Sequence, residues 1–282
     1  MEWERPLGCL LRGVHPEQDG WQAALLCNHE RGSHMAEHQR VTRDEAAGRI
    51  MVALDYSEAS HAEGLLKQLE GIPCYIKVGM QLYYAAGPAF IDNLKARGYR
   101  VFLDLKMHDI PNTVKGGAGS IARLGVDMFN VHAAGGVKMM EAAAEGVAQA
   151  LSGTSSSSRP LIIAVTQLTS TSQQVMNTEI GIQGAVEQAV ERYARLTQQA
   201  GLDGVVASPQ ETQLIKQACG AAFKTVTPGI RPAGAELGDQ SRIMTPRQAL
   251  DAGTDYMVIG RPITAAAEPR AAFEQIIEEL IQ

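Results

Sequence analysis

No apolar run in the sequence approaches the roughly 18 residues that a membrane-crossing helix needs, and the N-terminus has no basic segment followed by a long apolar one. Neither a membrane span nor a secretory signal is expected. There are only four cysteines in 282 residues. Cys9, Cys27, Cys74 and Cys219 lie far apart and form no Cys-x-x-Cys pair, which argues against a disulfide framework or a zinc site and suits a reducing, cytoplasmic setting. His108 and His132 have no clustered His/Cys set beside them, so no metal ligation is expected. No block of like charge occurs and the net charge is −6, so nucleic acid is not an expected partner. A small anion bound by a few local arginines remains open.

What is present suits a large α/β domain. A hydrophobic content of 45% is enough for a sizeable core. Residues 1–47 differ from the rest: they contain both tryptophans but no sustained period of 2 or 3.6, and the string RGSHM within them resembles the remnant of a cleaved expression tag. This irregular leader is set apart from a single domain over residues 48–282.

From Arg49 onward, eight short apolar runs alternate with helical segments: IMVALD (50–55), CYIKVG (74–79), RVFLDL (100–105), MFNVHA (128–133), LIIAVT (161–166), GVVASP (204–209), KTVTPG (224–229) and YMVIGR (256–261). Most of these runs are too continuously apolar for a sheet with one wet face. Eight β-then-α units in about 230 residues predict a (β/α)8 TIM barrel. The alternative, a doubly wound open sheet, would carry a Gly-rich turn after its first strand, and LDYSEAS is no such turn. The tract SGTSSSSRP (152–160) is expected to be a solvated connector.

Active sites of this architecture lie at the C-terminal strand ends. The polar residues fall there: Asp55 on the first strand, Lys77 on the second, Asp104 and Lys106 on the third, His132 on the fourth, Thr169 after the fifth, Arg231 after the seventh, and Gly260 with Arg261 at the eighth. A lone Asp or Lys is more often half of a solvated surface pair. Asp104 and Lys106, two apart on one strand, are instead predicted to point together into the barrel mouth. Burying such a pair costs more than attraction returns, which favours function over stability as its reason. Asp109 follows in the turn before Pro111, with Asn112 or Thr113 as the expected cap of the next helix. TPGIRP and IGRPI each pair a glycine with an arginine after consecutive strands, a pattern that predicts a phosphate grip and a phosphorylated substrate.

The segments VALD, IKVG, LDLKMHDIPNTV, VHAAGG, QLTS, TPGIRP, DQSRIMTP and VIGRPI, in this order over residues 49–282, resemble the orotidine 5′-phosphate decarboxylase family of the short bacterial type. The resemblance implies decarboxylation of orotidine 5′-monophosphate to uridine 5′-monophosphate, the last step of de novo UMP biosynthesis, with no cofactor. It implies that Asp55 and Lys77 contact the ribose hydroxyls, that Lys106 donates the proton, and that Asp104 lies against the substrate carboxylate. Asp109, Ile110 and Thr113 would reach into the neighbouring subunit's site, which implies a homodimer with shared active sites. Thr169 would read the pyrimidine edge, Arg231 would take a further ligand-binding position, and Gln240, Gly260 and Arg261 would form the phosphate grip. The segment RPAGAELGDQSR (231–242) is a candidate lid.

Two rivals are weighed beside this. A sibling barrel acting on sugar phosphates with magnesium, as decarboxylase or aldolase, predicts a further acidic metal ligand at a strand end, and acids occur there only on strands 1 and 3. A catalytically silent nucleotide binder would have no use for the charges of Asp104, Lys106 and Asp109.

Overall fold

Strands such as Ile-Met-Val-Ala-Leu and Leu-Ile-Ile-Ala-Val carry apolar side chains at both parities, so a sheet built from them has to be covered on both faces. Closure meets that requirement. The computed structural model describes residues 41–153, 158–232 and 243–282. In it the strands β1 (Ile50–Leu54), β2 (Tyr75–Gly79), β3 (Arg100–Met107), β4 (Met128–His132), β5 (Leu161–Val165), β6 (Gly204–Val206), β7 (Lys224–Thr227) and β8 (Tyr256–Ile259) pair in parallel and in sequence. The ring shuts through β1 and β8, with Met51 opposite Val258.

One parity of each strand fills the barrel: Met51, Tyr75, Phe102, Met128, Ile163 and Val226 form a buried interior cluster. The other parity packs outward under the helices, as Ile50, Val52 and Leu54 do with Leu65, Leu66 and Leu69 of helix Ala59–Leu69. β6 and β7 are shorter than their apolar runs suggested. Pro209 and Pro228 lie just beyond them, and a proline has no N–H to extend a ladder.

The last part of the segment set apart as the leader is helical. Arg43–Arg49 is a helix, started by a reciprocal capping box between Thr42 and Glu45. It buries Ala46 and Ala47 in the main core, and Arg43 pairs with Glu274 and Glu278 of the last helix, Pro269–Ile281. A helix of seven residues is too short to show a period, which is why its residues read as irregular. Residues 1–40 and 154–157 lie outside the described residues.

The N-terminal rim repeats one device three times. The residue just before β4, β6 and β8 is an aspartate (Asp127, Asp203, Asp255), and each carboxylate accepts an N–H from the preceding strand: Val101 at 2.7 Å, Ile162 at 2.7 Å and Thr225 at 2.9 Å. Each also pairs with a base: Lys95, Arg159, and Lys216 with Lys224 respectively. The strand starts are thereby fixed at the end of the barrel opposite the predicted site. Asp255→Ala would leave the N–H of Thr225 without this acceptor and the ammoniums of Lys216 and Lys224 without their carboxylate. It is expected to lower unfolding free energy in urea by about 2–3 kcal/mol, with kcat unchanged.

Candidate active site

The site begins with a fault in the ladder. Leu103 of β3 lies opposite Phe129 of β4, yet Met107 lies opposite Val131, so four steps on one strand match two on the other. This bulge brings Lys106 to φ 52°, the one positive φ among the described non-glycine residues. The displaced N–H of Lys106 donates to Oδ1 of Asn130 at 2.7 Å. Asn130 was not singled out from the sequence. Its signal was present, as an amide inside an apolar strand at the same parity as Met128 and His132.

Four charged side chains alternate in sign across β1, β2 and β3. Lys77 Nζ lies 3.2 Å from Asp55 Oδ1 and 3.5 Å from Asp104 Oδ2. Lys106 Nζ donates to Asp104 Oδ1 at 2.7 Å, and the same oxygen accepts from Asn130 Nδ2 at 2.7 Å. The Lys77 and Asp104 side chains are only 9% and 13% exposed, against 69% for Asp55, so the middle of the chain carries the desolvation cost. Burial alone would push the Asp104 carboxyl upward. Lys77, then Lys106 and the hydrogen bonds from Lys106 and Asn130, outweigh it and hold the group below the ordinary carboxylate range. Asp104 is therefore an anion at neutral pH.

These groups line one side of a cavity of about 540 Å³, within the usual size of a small-molecule site. The opposite side is made by Gln167, Leu168, Thr169 and Ser170 after β5, by Pro228, Gly229 and Arg231 after β7, and by Gly260, Arg261 and Thr264 after β8. Of the residues singled out from the sequence, Asp55, Lys77, Asp104, Lys106, Thr169, Arg231, Gly260 and Arg261 share this cavity. Gln167, Ser170 and Thr264 are further polar lining residues that the motifs did not single out. Gln240 and residues 233–242 of the candidate lid lie outside the described residues.

Asp109, Ile110 and Thr113 are not brought to this cavity by their own chain. Asp109 and Ile110 line a separate depression with His108, Pro111, Ala134 and Gly135, and Asp109 Oδ1 accepts the N–H of Ile110 at 2.6 Å. Ile110 is 67% exposed and Thr113 is exposed on helix Pro111–Arg123. No ion pair joins Asp109 to Lys106 among the described residues. The helix also starts differently from the expectation. Its N-cap is Ile110, without a side-chain hydrogen bond, and Pro111 takes the first helical position, where its missing N–H has no partner to lose. Asn112 and Thr113 are inside the helix and do not cap it.

His132 closes the inner face of β4, its ring 5.6 Å from that of His108. Burial, followed by the nearby His108 and Lys106, holds it below the ordinary histidine value, so it is a neutral imidazole at neutral pH. Among the described residues no three His, Cys, Asp or Glu side chains come together as a metal site.

A closed eight-stranded barrel with alternating aspartates and lysines at its strand ends, facing arginines across a small-molecule cavity, defines a class: (β/α)8-barrel enzymes of small anionic substrates. The family follows from sequence comparison. Residues 48–276 match the model of the Orotidine 5'-phosphate decarboxylase / HUMPS family, and the chain belongs to that family. It is 50% identical over 242 residues to an orotidine 5'-phosphate decarboxylase of Moorella thermoacetica, covering 86% of this chain and 96% of that protein. It is 52% identical over 231 residues to one of Geobacillus thermodenitrificans, covering 82% and 95%. Among solved structures, the orotidine 5'-phosphate decarboxylase of Lactobacillus acidophilus superimposes with a TM-score of 0.74 at 40% identity, covering 82% of this chain and 98% of that one.

The linkage at Asp104 gives a pH test. Lys77→Met removes the stronger of the two ammonium charges holding Asp104 down and leaves a buried carboxylate short of a partner, an imbalance that typically costs about 3–5 kcal/mol. In the variant the folded state then binds a proton at Asp104 more tightly than folded wild type does, so it gains stability relative to wild type as pH falls. Urea titrations at pH 7 and pH 5 are expected to show the gap to wild type narrowing at the lower pH; a constant gap would mean that Asp104 is not held by Lys77.

Proposed function

We propose that the protein decarboxylates orotidine 5′-monophosphate to uridine 5′-monophosphate, as the last step of de novo UMP biosynthesis in the cytoplasm, with no metal or organic cofactor. The observation that carries this reading is the alternating Asp55–Lys77–Asp104–Lys106 chain at the cavity wall, in a chain about half identical to proteins of that name.

Breaking the bond from C6 to the carboxylate releases carbon dioxide and leaves its electron pair on C6, a vinylic carbanion with no adjacent carbonyl to accept the charge. Stabilisation has to come from charge already in place. The Lys106 ammonium supplies it, then passes a proton from Nζ to C6, and solvent later returns a proton to the amine. Asp104, kept anionic by its surroundings, lies against the departing carboxylate, and that repulsion disappears as neutral carbon dioxide forms. Lys77 orients Asp104 and, with Asp55, takes the ribose hydroxyls. Thr169 reads the pyrimidine, while Arg231, Gln240, Gly260 and Arg261 take the phosphate.

The metal-dependent sibling reading fits the donors less well. Asp55 and Asp104, the acids at the strand ends, already face the ammoniums of Lys77 and Lys106, which a divalent cation would have to displace.

Asp109, Ile110 and Thr113 complete the site of a second copy in a homodimer. Two features support this: they are exposed, and they make no contribution to the cavity of their own chain.

Mixing the protein with orotidine 5′-monophosphate in EDTA and following ultraviolet absorbance tests the reaction. Conversion is expected to survive EDTA, and Lys106→Ala is expected to lower kcat by at least about 10³-fold, since it removes both the proton donor and the stabilising charge. Inactive, folded wild-type protein would sink the reading. Shared sites have their own check. Lys106→Ala and Asp109→Ala, each inactive alone, are expected to regain about a quarter of wild-type activity when dimers are mixed at random, because each mixed dimer of two-fold symmetry has one intact site. No recovery with demonstrated subunit exchange would count against contribution across the dimer.

A further inference from the structure

We propose that Asn130 is a positioning residue for catalysis, holding the Lys106 backbone and the Asp104 carboxylate in register through one carboxamide. The inference rests on the decarboxylase reading above.

Asn130 is 1% exposed on the inner face of β4. A buried amide in a barrel could serve only to satisfy strand hydrogen bonds. This one is used differently, because both of its observed bonds go to the Asp-x-Lys segment of β3. Its Oδ1 accepts the N–H of Lys106 and its Nδ2 donates to Asp104 Oδ1, each at 2.7 Å.

The first bond acts on the backbone. Lys106 is at φ 52°, a region that only glycine, asparagine and aspartate visit readily, and it sits inside a bulge that removes its N–H from the strand ladder. Asn130 Oδ1 takes up that N–H. Without it, nothing seen at this amide opposes relaxation of Lys106 toward an ordinary extended backbone, which would swing Nζ away from its place over the substrate. Proton transfer is sensitive to misplacement on the ångström scale.

The second bond acts during turnover. Asp104 Oδ1 has two donors, the Lys106 ammonium and the Asn130 amide. Once Lys106 has given its proton to C6 it is a neutral amine, and its hold on the carboxylate weakens. The amide cannot titrate, so it keeps Asp104 in place while Lys106 is reprotonated.

The test compares wild type, Asn130→Ala and Asn130→Asp by steady-state decarboxylation from pH 5.5 to 8.5, with thermal unfolding as the folding control. Asn130→Ala is expected to lower kcat about 10–100-fold with KM within about threefold, since the groups that would bind phosphate and pyrimidine are untouched. Asn130→Asp sets two carboxylates together, so they share a proton with a raised pKa. When protonated, its carboxyl group offers a donor to Asp104 and an acceptor to the Lys106 N–H, as the amide did. Its kcat relative to wild type is therefore expected to rise as pH falls, a recovery that Asn130→Ala cannot show. A purely structural role predicts parallel pH profiles for all three proteins. Parallel profiles, or a kcat for Asn130→Ala within about twofold of wild type, would overturn the inference. If Asn130→Ala does not fold, the acid recovery of Asn130→Asp decides alone. Wild-type inactivity in the same assay would instead defeat the decarboxylase reading, so the two failures are separable.

Discussion

The Asp104 carboxylate, held ionised between two lysines where burial would otherwise neutralise it, is the constraint around which the mouth of the barrel is organised. An anion at that depth has to be surrounded. Lys77 covers one oxygen, Lys106 and Asn130 cover the other, and Asp55 balances Lys77 from the solvent side. Each partner comes from a different strand or from the bulged end of β3. The charge arrangement therefore depends on the parallel register that brings β1, β2, β3 and β4 side by side. Such a cluster is a poor way to stabilise a fold, because apolar residues of similar volume would do as well or better. Its use is electrostatic: a preorganised field needs no rearrangement when charge develops on a substrate.

A strained mouth requires a firm base. The three aspartates before β4, β6 and β8 tie the strand starts at the opposite rim, and large side chains such as Phe102 and Met128 fill the interior between. The interior packing fixes Phe102, and Asp104 and Lys106 follow it on the same strand. The positive φ of Lys106 is thus set in a frame that opposes relaxation from below, while Asn130 opposes it from the side.

Much of this was legible in the sequence, for identifiable reasons. Strands covered on both faces leave runs that are apolar at both parities, and eight such runs alternating with helices leave few folds open. Strand ends were less clear, because GVVASP and KTVTPG look extended until their prolines stop the ladder. The charged residues of the site were legible because charge directly after an apolar run is costly and therefore meaningful. The bulge was not, since Asp104, Leu105, Lys106 and Met107 keep the polar-apolar alternation of a regular strand while their ladder slips. Asn130 was hidden for a related reason. Its partners are 24 and 26 residues away, and no local pattern records a hydrogen bond between strands.

Charge balance gives a physical reason for the site to extend beyond one chain. Among the described residues of the mouth, two aspartates and two lysines cancel, and Lys106 has a single carboxylate beside it. A substrate with a carboxylate next to Asp104 adds a negative charge at the one place already carrying one. In the reading proposed above, another carboxylate facing Lys106 would restore the pairing of opposite charges there. Asp109 is close in sequence but turned into its own backbone, accepting the N–H of Ile110, and it lines a separate depression. In this arrangement the chain does not bring Asp109 to the cavity that its own Lys106 lines. In the homodimer proposed above, a second copy facing the exposed Ile110 surface would offer its aspartate to the lysine of the first.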